Sequence, residues 1–413
     1  MSDLLAARSQ MAVSLAFHIL FAVAGIAMPF LMAVAEGRWL KKGDAVYRLL
    51  AERWAKGTAI LFAVGAVSGT VLSFELGLLW PSFMRFAGPI IGMPFSLEGF
   101  AFFLEAIFLG IYLYGWNRVP PKIHWLAGWG VCLSGVFSGL FVVTANSWMN
   151  TPAGFTALDG KIVSIDPWKA MFNAAAPYEA LHMTLAAFVA IGFAVAAIHA
   201  RCLLKNPKSV FHRRALEIAF LTGAIAAILQ PISGDSSARH VARVQPVKLA
   251  AMEHVQRSER GKFLSFLAYR DFQTIVVGLD SFPSEDLPPI RPVYLAFRLM
   301  IVCGFILALT GIVGLILVCL VWKKGKNWPT WFLKTLIFTG PLGLIALEAG
   351  WMVTEIGRQP WIIYNFMRTA DAVTPMPYLI IPFLVFTALY FLLGTVVVIL
   401  LRKLVFSEKG TSC

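Results

Sequence analysis

The sequence predicts an all-α integral membrane protein with nine transmembrane helices, its N-terminus outside and its C-terminus cytoplasmic. Three observations carry that prediction. First, the 413 residues are 59% hydrophobic and only 14% charged, with a mean hydropathy of +0.75. A soluble domain carries about 25% charged and roughly 45–50% apolar residues, and no soluble interior hides this much apolar surface. Second, apolar runs of about 20 residues, the length that crosses a bilayer, recur along the chain. Third, Lys and Arg alternate between rich and poor loops, as orientation in a membrane requires.

The first span covers 11–35. The preceding MSDLLAARSQ has Asp3 where a signal peptide would be positive, and no cleavage site follows, so this is read as a retained span. The next five spans cover 57–80, 95–116, 124–148, 179–201 and 214–232. A polar stretch, 233–292, follows, and then spans at 293–321, 332–353 and 377–401. The organisation is therefore helices 1–6 in 1–232, an external loop in 233–292, and helices 7–9 in 293–413.

Basic residues cluster after span one (Arg38, Lys41, Lys42, Arg48, Arg53, Lys56), after span five (Arg201, Lys205, Lys208, Arg213, Arg214) and after span seven (Lys323, Lys324, Lys326, Lys334). The alternate loops hold few: Arg85, then Lys161 and Lys169, then Arg358 and Arg368. Positive loops face the cytoplasm, which places the termini as stated and the loop 233–292 outside. The net charge of +13 is thus mostly a topology signal, and nucleic-acid binding is excluded as its explanation. The five cysteines, 132, 202, 303, 319 and 413, show neither CxxC nor CxxCH spacing, which leaves no zinc ribbon and no covalent c-type haem.

Polar side chains within spans are costly and mark function. His18, Glu75, Glu98, Glu105, Asn146, His182, Arg298, Met300, Glu348 and Glu355 all fall toward the outer ends of their spans. Glu105 lies deeper than Glu98 on the same helical face. The inner halves are almost purely apolar, apart from Glu217 and His199. A transporter would place such groups at the midplane, in broken helices. A His/Met pair instead suits a six-coordinate haem, whereas a carboxylate or a lone His leaves a coordination position open. Taken singly, a membrane His also serves as a packing hydrogen-bonder, Met300 as core filler, and Glu98 and Glu105 as partners for Arg. A haem–copper centre needs more membrane histidines than this chain has. Of its seven, His124, His212, His240 and His254 sit at or outside the interfaces. A cytochrome b of the bc type needs paired histidines on two helices, and His182 with His199 has no partner pair.

The segment 348–361, EAGWMVTEIGRQPW, holds Gly357-Arg358-Gln359-Pro360-Trp361. This resembles the signature of subunit I of the cytochrome bd-type quinol oxidases, and RTADAVTP at 368–375 is similar to their cyanide-insensitive branch. The stretches around Glu98-Gly99, NSWM (146–149), FRLMIVCGF (297–305), Gly234-Asp235 and QPVKLAAMEH (245–254) resemble the same family in order. The resemblance runs from end to end.

The resemblance implies three haems: a low-spin b, a high-spin b, and a haem d or a further b. His182 and Met300 match the axial pair of the low-spin haem, and His18 and Glu348 match ligands of the high-spin pair. Glu98 matches a carboxylate beside those haems, and Glu105 the proton route to oxygen. Arg298 would pair with propionates or hold up the low-spin potential, and Arg358 would serve propionates. Lys248 and Glu253 match residues of the outer loop, the family's Q-loop, where Lys248 would orient quinol and Glu253 accept its proton. The implied activity is oxidation of ubiquinol or menaquinol outside and reduction of O2 to water, which builds a proton gradient without pumping. The implied partners are a second membrane subunit and a small single-helix subunit, in the bacterial cytoplasmic (inner) membrane. The loop is of the short kind, and its HVQRSERGKF after Glu253 is more basic than the family pattern. KLAAMEH also reads as an interfacial amphipathic helix, EIGRQPW as a helix terminus, and His240 and His254 as solvated. The alternatives are a haem-b electron carrier that does not reduce oxygen, and a haem-free transporter or scaffold.

Overall fold

A computed structural model describes residues 1–158, 161–258, 260, 263–324 and 327–406. Lys326 and Cys413 lie outside the described residues. Nine helices among them are long and apolar enough to cross a membrane.

The long helices begin and end where local chemistry dictates. Helix α1 (Asp3–Lys42) starts at Ser2, whose hydroxyl accepts from the Leu5 amide, and ends at Gly43 with φ 69°, a left-handed position that favours glycine. Asp44 caps α2 (Ala45–Leu79) through the Val46 amide. Helices α3 (Pro81–Tyr114) and α4 (Pro121–Asn150) both open on proline, which lacks the amide hydrogen that a first turn leaves unused. A two-stranded hairpin, β1 (Phe155–Leu158) and β2 (Lys161–Ile165), and the short α5 (Pro167–Met171) lead to α6 (Ala176–Lys205).

Helix α7 (Val210–Val244) runs past residue 232, where the sequence placed the end of the sixth span. Its last turns are polar (Asp235, Arg239, His240, Arg243), so the helix continues beyond the apolar run that ends at 232. The extramembrane stretch holds α8 (Pro246–Glu253) and α9 (Phe263–Tyr269). Helix α10 (Ile290–Lys324) follows. The eighth span is two pieces, α11 (Thr330–Thr339) and α12 (Leu342–Ile356), separated at Gly340-Pro341, where proline removes a helical hydrogen bond. A small hairpin, β3 (Trp361–Ile363) and β4 (Met367–Arg368), and α13 (Thr369–Ala372) precede α14 (Ile380–Leu401).

Helix pairs pack closely through small residues, as membrane helices do. A Cβ on Gly192 of α6 would lie 2.5 Å from the Gly223 Cα of α7, so the two backbones nearly touch. Equal steps along these antiparallel helices bring His182 opposite Ser233. Helices α1 and α2 meet similarly where a Cβ on Gly65 would lie 3.3 Å from the Phe21 Cβ. The same register sets His18 opposite Ser68. The main core is apolar, with Leu31, Met32, Leu50, Phe193, Phe220 and Phe332 fully buried.

Candidate functional site

A cavity of about 450 Å³ opens between α6, α7, α8, α10 and α12, beside the extramembrane stretch. His182, Met300, Glu179, Lys248, Glu253 and Gln230 line it. His182 projects from α6, and its Nδ1 lies 2.9 Å from the Ser233 hydroxyl on α7. Met300 comes from α10, and its sulfur would lie 3.2 Å from a Cβ on Gly350, so glycine there leaves room for the thioether. Among the described residues, no three His, Cys, Asp or Glu side chains gather to hold a bare metal ion. An imidazole and a thioether facing one largely apolar cavity are, however, the donor set of a low-spin haem. With glycines behind both donors and a buried cation nearby, the residues present fit that group.

Lys248 is 4% exposed. Its ammonium donates to Asn150 Oδ1 at 3.0 Å and to the Thr354 carbonyl at 3.4 Å. A Cβ on Gly357, the first residue of the GRQPW segment, would lie 3.1 Å from the Lys248 chain, so this glycine makes room for the lysine. Burial foremost, then Arg358, pushes the Lys248 amine down to about 7, against the opposing pull of Glu179 and Glu355. Glu253 forms an ion pair with Arg298 at 2.7 Å. Burial raises its carboxyl above the usual range while Arg298 works the other way.

The remaining candidates form separate groups. The His18 Nδ1 lies 2.9 Å from the Ser68 hydroxyl. Glu98 accepts from Ser138 at 3.4 Å. The Glu105 carboxylate sits where Cβ atoms on Gly25 and Gly135 would come within 3.2 and 3.3 Å. No Arg pairs with either carboxylate among the described residues, so the ion-pair alternative for them falls away. Because α3 starts at Pro81, Glu98 stands well inside its helix rather than near the end. Glu348 Oε1 is buried without a partner among the described residues. Arg358 is 2% exposed and donates to Glu355 at 2.6 Å, while Asn146 donates to the other Glu355 oxygen at 2.6 Å. The Arg358 Nε and Nη1 are buried without partners among the described residues.

Arg298 pairs with Glu253, with its side chain 45% exposed. His240 is half-buried, stacked on Tyr178 with its Nε2 out of solvent, whereas His254 is exposed. Sequence reasoning overlooked Glu179, Gln230, Ser68 and Ser233. Glu179 could have been found, since it precedes His182 by one helical turn and so shares its face.

The model of the cytochrome bd terminal oxidase subunit I family matches residues 6–409, and the chain belongs to that family. It is a multi-pass membrane protein and an oxidoreductase of the respiratory chain. A Bacillus subtilis chain whose name provisionally assigns it to cytochrome bd menaquinol oxidase subunit I is 36% identical, covering 97% of this chain and 96% of its own length. Cytochrome bd ubiquinol oxidase subunit 1 of the same organism is 32% identical, covering 97% and 93%. Among solved structures, the bd oxidase from Geobacillus thermodenitrificans superposes with a TM-score of 0.90 at 34% identity, covering 98% of each chain.

Proposed function

We propose that this chain is the haem-carrying subunit of a terminal quinol oxidase that oxidises membrane quinol beside the stretch 233–292 and reduces O2 to water. The enzyme class is quinol:oxygen oxidoreductase, and proteins of this family carry haems and use quinol. His182 and Met300 would hold a low-spin haem b, His18 and Glu348 would serve the high-spin pair, and Arg358 would face propionates. Bound there, the haems would supply electron transfer and the reduction of oxygen.

The protein's own residues do the rest. Lys248, with its amine near neutrality, orients a quinol oxygen. Glu253 takes up a quinol proton once it parts from Arg298, and releases it on the loop side. Glu98 and Glu105 on α3 hold and pass protons toward the oxygen site from the opposite face. Taking protons from one face and releasing them on the other builds a gradient without pumping. The distribution of Lys and Arg supports an outer loop, an outer N-terminus and a cytoplasmic C-terminus in a bacterial inner membrane. On this reading 1–232 and 293–413 form the membrane body and 233–292 the quinol-binding segment. A second membrane subunit, and a small one-helix subunit, complete the complex.

The observation that carries this reading is the single cavity that joins the His182/Met300 donor pair to the buried Lys248 and Glu253. Quinol-driven oxygen uptake by the purified complex tests it. Uptake with ubiquinol or menaquinol is expected. A complex that accepts electrons from quinol yet consumes no oxygen would be the haem-b electron carrier instead.

A further inference from the structure

The two histidines proposed as haem ligands share a device on the helix opposite each. His18 faces Ser68-Gly69 of α2, and His182 faces Ser233-Gly234 of α7. The His18 Nδ1 is 2.9 Å from Ser68 Oγ. The His182 Nδ1 is 2.9 Å from Ser233 Oγ. A serine hydroxyl has one hydrogen to give. Ser68 spends it on its own helix, 2.9 Å from the Val64 carbonyl and 3.1 Å from that of Gly65. Ser233 spends it 2.9 Å away on the Gln230 carbonyl. With the hydroxyl hydrogen on that carbonyl, each serine oxygen is left to accept from the imidazole, which puts the proton on Nδ1 and the lone pair on Nε2.

At the His182 site the Gln230 amide nitrogen donates to the His182 carbonyl at 3.1 Å and lies 3.2 Å from Nε2 and 3.3 Å from Nδ1, so it does not choose between the two tautomers. The glycine after each serine leaves space for the ring edge. A Cβ on Gly69 would lie 2.9 Å from the His18 Cε1, and one on Gly234 3.3 Å from the His182 Cε1.

We infer that Ser68 and Ser233 are positioning residues that fix His18 and His182 as Nδ1–H tautomers and so present Nε2 to iron. The inference rests on the proposal that these histidines hold haem iron. An acceptor on the outer ring nitrogen makes an imidazole a more basic ligand, which favours ferric iron and lowers the midpoint potential. Removing it raises the potential.

The test is a redox titration with EPR of the oxidised low-spin haem, on the complete complex, for Ser233→Ala, Ser233→Cys and Ser233→Thr. Alanine and the poorly accepting thiol should retain the haem, raise its midpoint and change its EPR signature, while threonine should keep the parent values. If S233A does not assemble, the contrast of Ser233→Cys with Ser233→Thr carries the same information. Parent-like potentials and EPR in haem-replete S233A and S233C would overturn the inference. His182→Ala is the separate control: survival of the low-spin haem there would overturn the ligand reading itself and leave the tautomer assignment standing on the hydrogen bonds alone.

Discussion

The membrane histidines fall into two sets at opposite ends of the bundle. At the end away from the extramembrane stretch, both ring nitrogens of His124 are consumed: Nδ1 is 2.7 Å from the Glu36 carboxylate and Nε2 2.9 Å from the Tyr112 carbonyl. His199 and His212 are likewise buried against each other, Nδ1 to Nδ1 at 3.0 Å. At the loop end, His18 and His182 each place Nδ1 against a serine hydroxyl, and the Nε2 of His182 meets, among the described residues, only the Gln230 side-chain amide, at 3.2 Å, a contact that a haem iron would replace. The same residue type in the same solvent thus serves two purposes. Histidines set against a carboxylate, a carbonyl or each other hold helices together, and those set against a serine beside a glycine are the ones placed to hold a metal.

The largest contrast this predicts is between His182→Ala and His124→Ala. His182→Ala should abolish the low-spin haem absorbance and quinol oxidation with it. His124→Ala should keep the haem spectrum but destabilise the protein by about 3 kcal/mol, because it leaves Glu36 buried without its partner. Thermal inactivation followed at the haem band checks both. If His124→Ala removed a haem, the division would be wrong.

Next come the carboxylates. Glu105→Gln should slow oxygen uptake about 10²-fold whatever the electron donor, and Glu253→Gln by about as much only when quinol is the donor, since proton transfer by a placed carboxylate contributes on this scale. Oxygen-electrode rates with quinol and with an artificial donor separate the two ends of the reaction.

Lys248 gives a smaller effect that depends on pH. Its amine sits near 7 in the folded protein and at about 10.4 when unfolded. Between those values the unfolded chain binds the extra proton, so stability rises with pH across that window. Lys248→Met should flatten the rise in thermal-inactivation midpoint between about pH 7 and 10. The smallest effect belongs to Arg48, whose ion pair with Glu52 is about a third exposed. Arg48→Ala should cost less than about 1 kcal/mol, read from the same midpoint.

Much of this was legible in the sequence. Hydropathy located the nine spans, because in lipid a helix must be apolar along most of its length. Polar or proline-containing turns continue α7 and α3 beyond the apolar runs, and hydropathy read α11 and α12 as one piece. His18, His182, Met300 and the carboxylates stood out because a polar group in a span is costly. Ser68, Ser233 and Gln230 did not, since serine and glutamine are unremarkable in composition and gain meaning only from the residue opposite. That pairing follows from helix register, which here depends on close contacts such as Gly192 with Gly223. The Arg298–Glu253 ion pair was hidden for the same reason: it joins α10 to a loop helix distant in sequence.

The most direct test is the dithionite-reduced minus oxidised optical spectrum of the purified complex, with and without CO. The account predicts low-spin b bands together with a high-spin species that responds to CO, and a far-red band if haem d is present. A b-type spectrum with no CO response, or a folded complex with no haem absorbance, would contradict it.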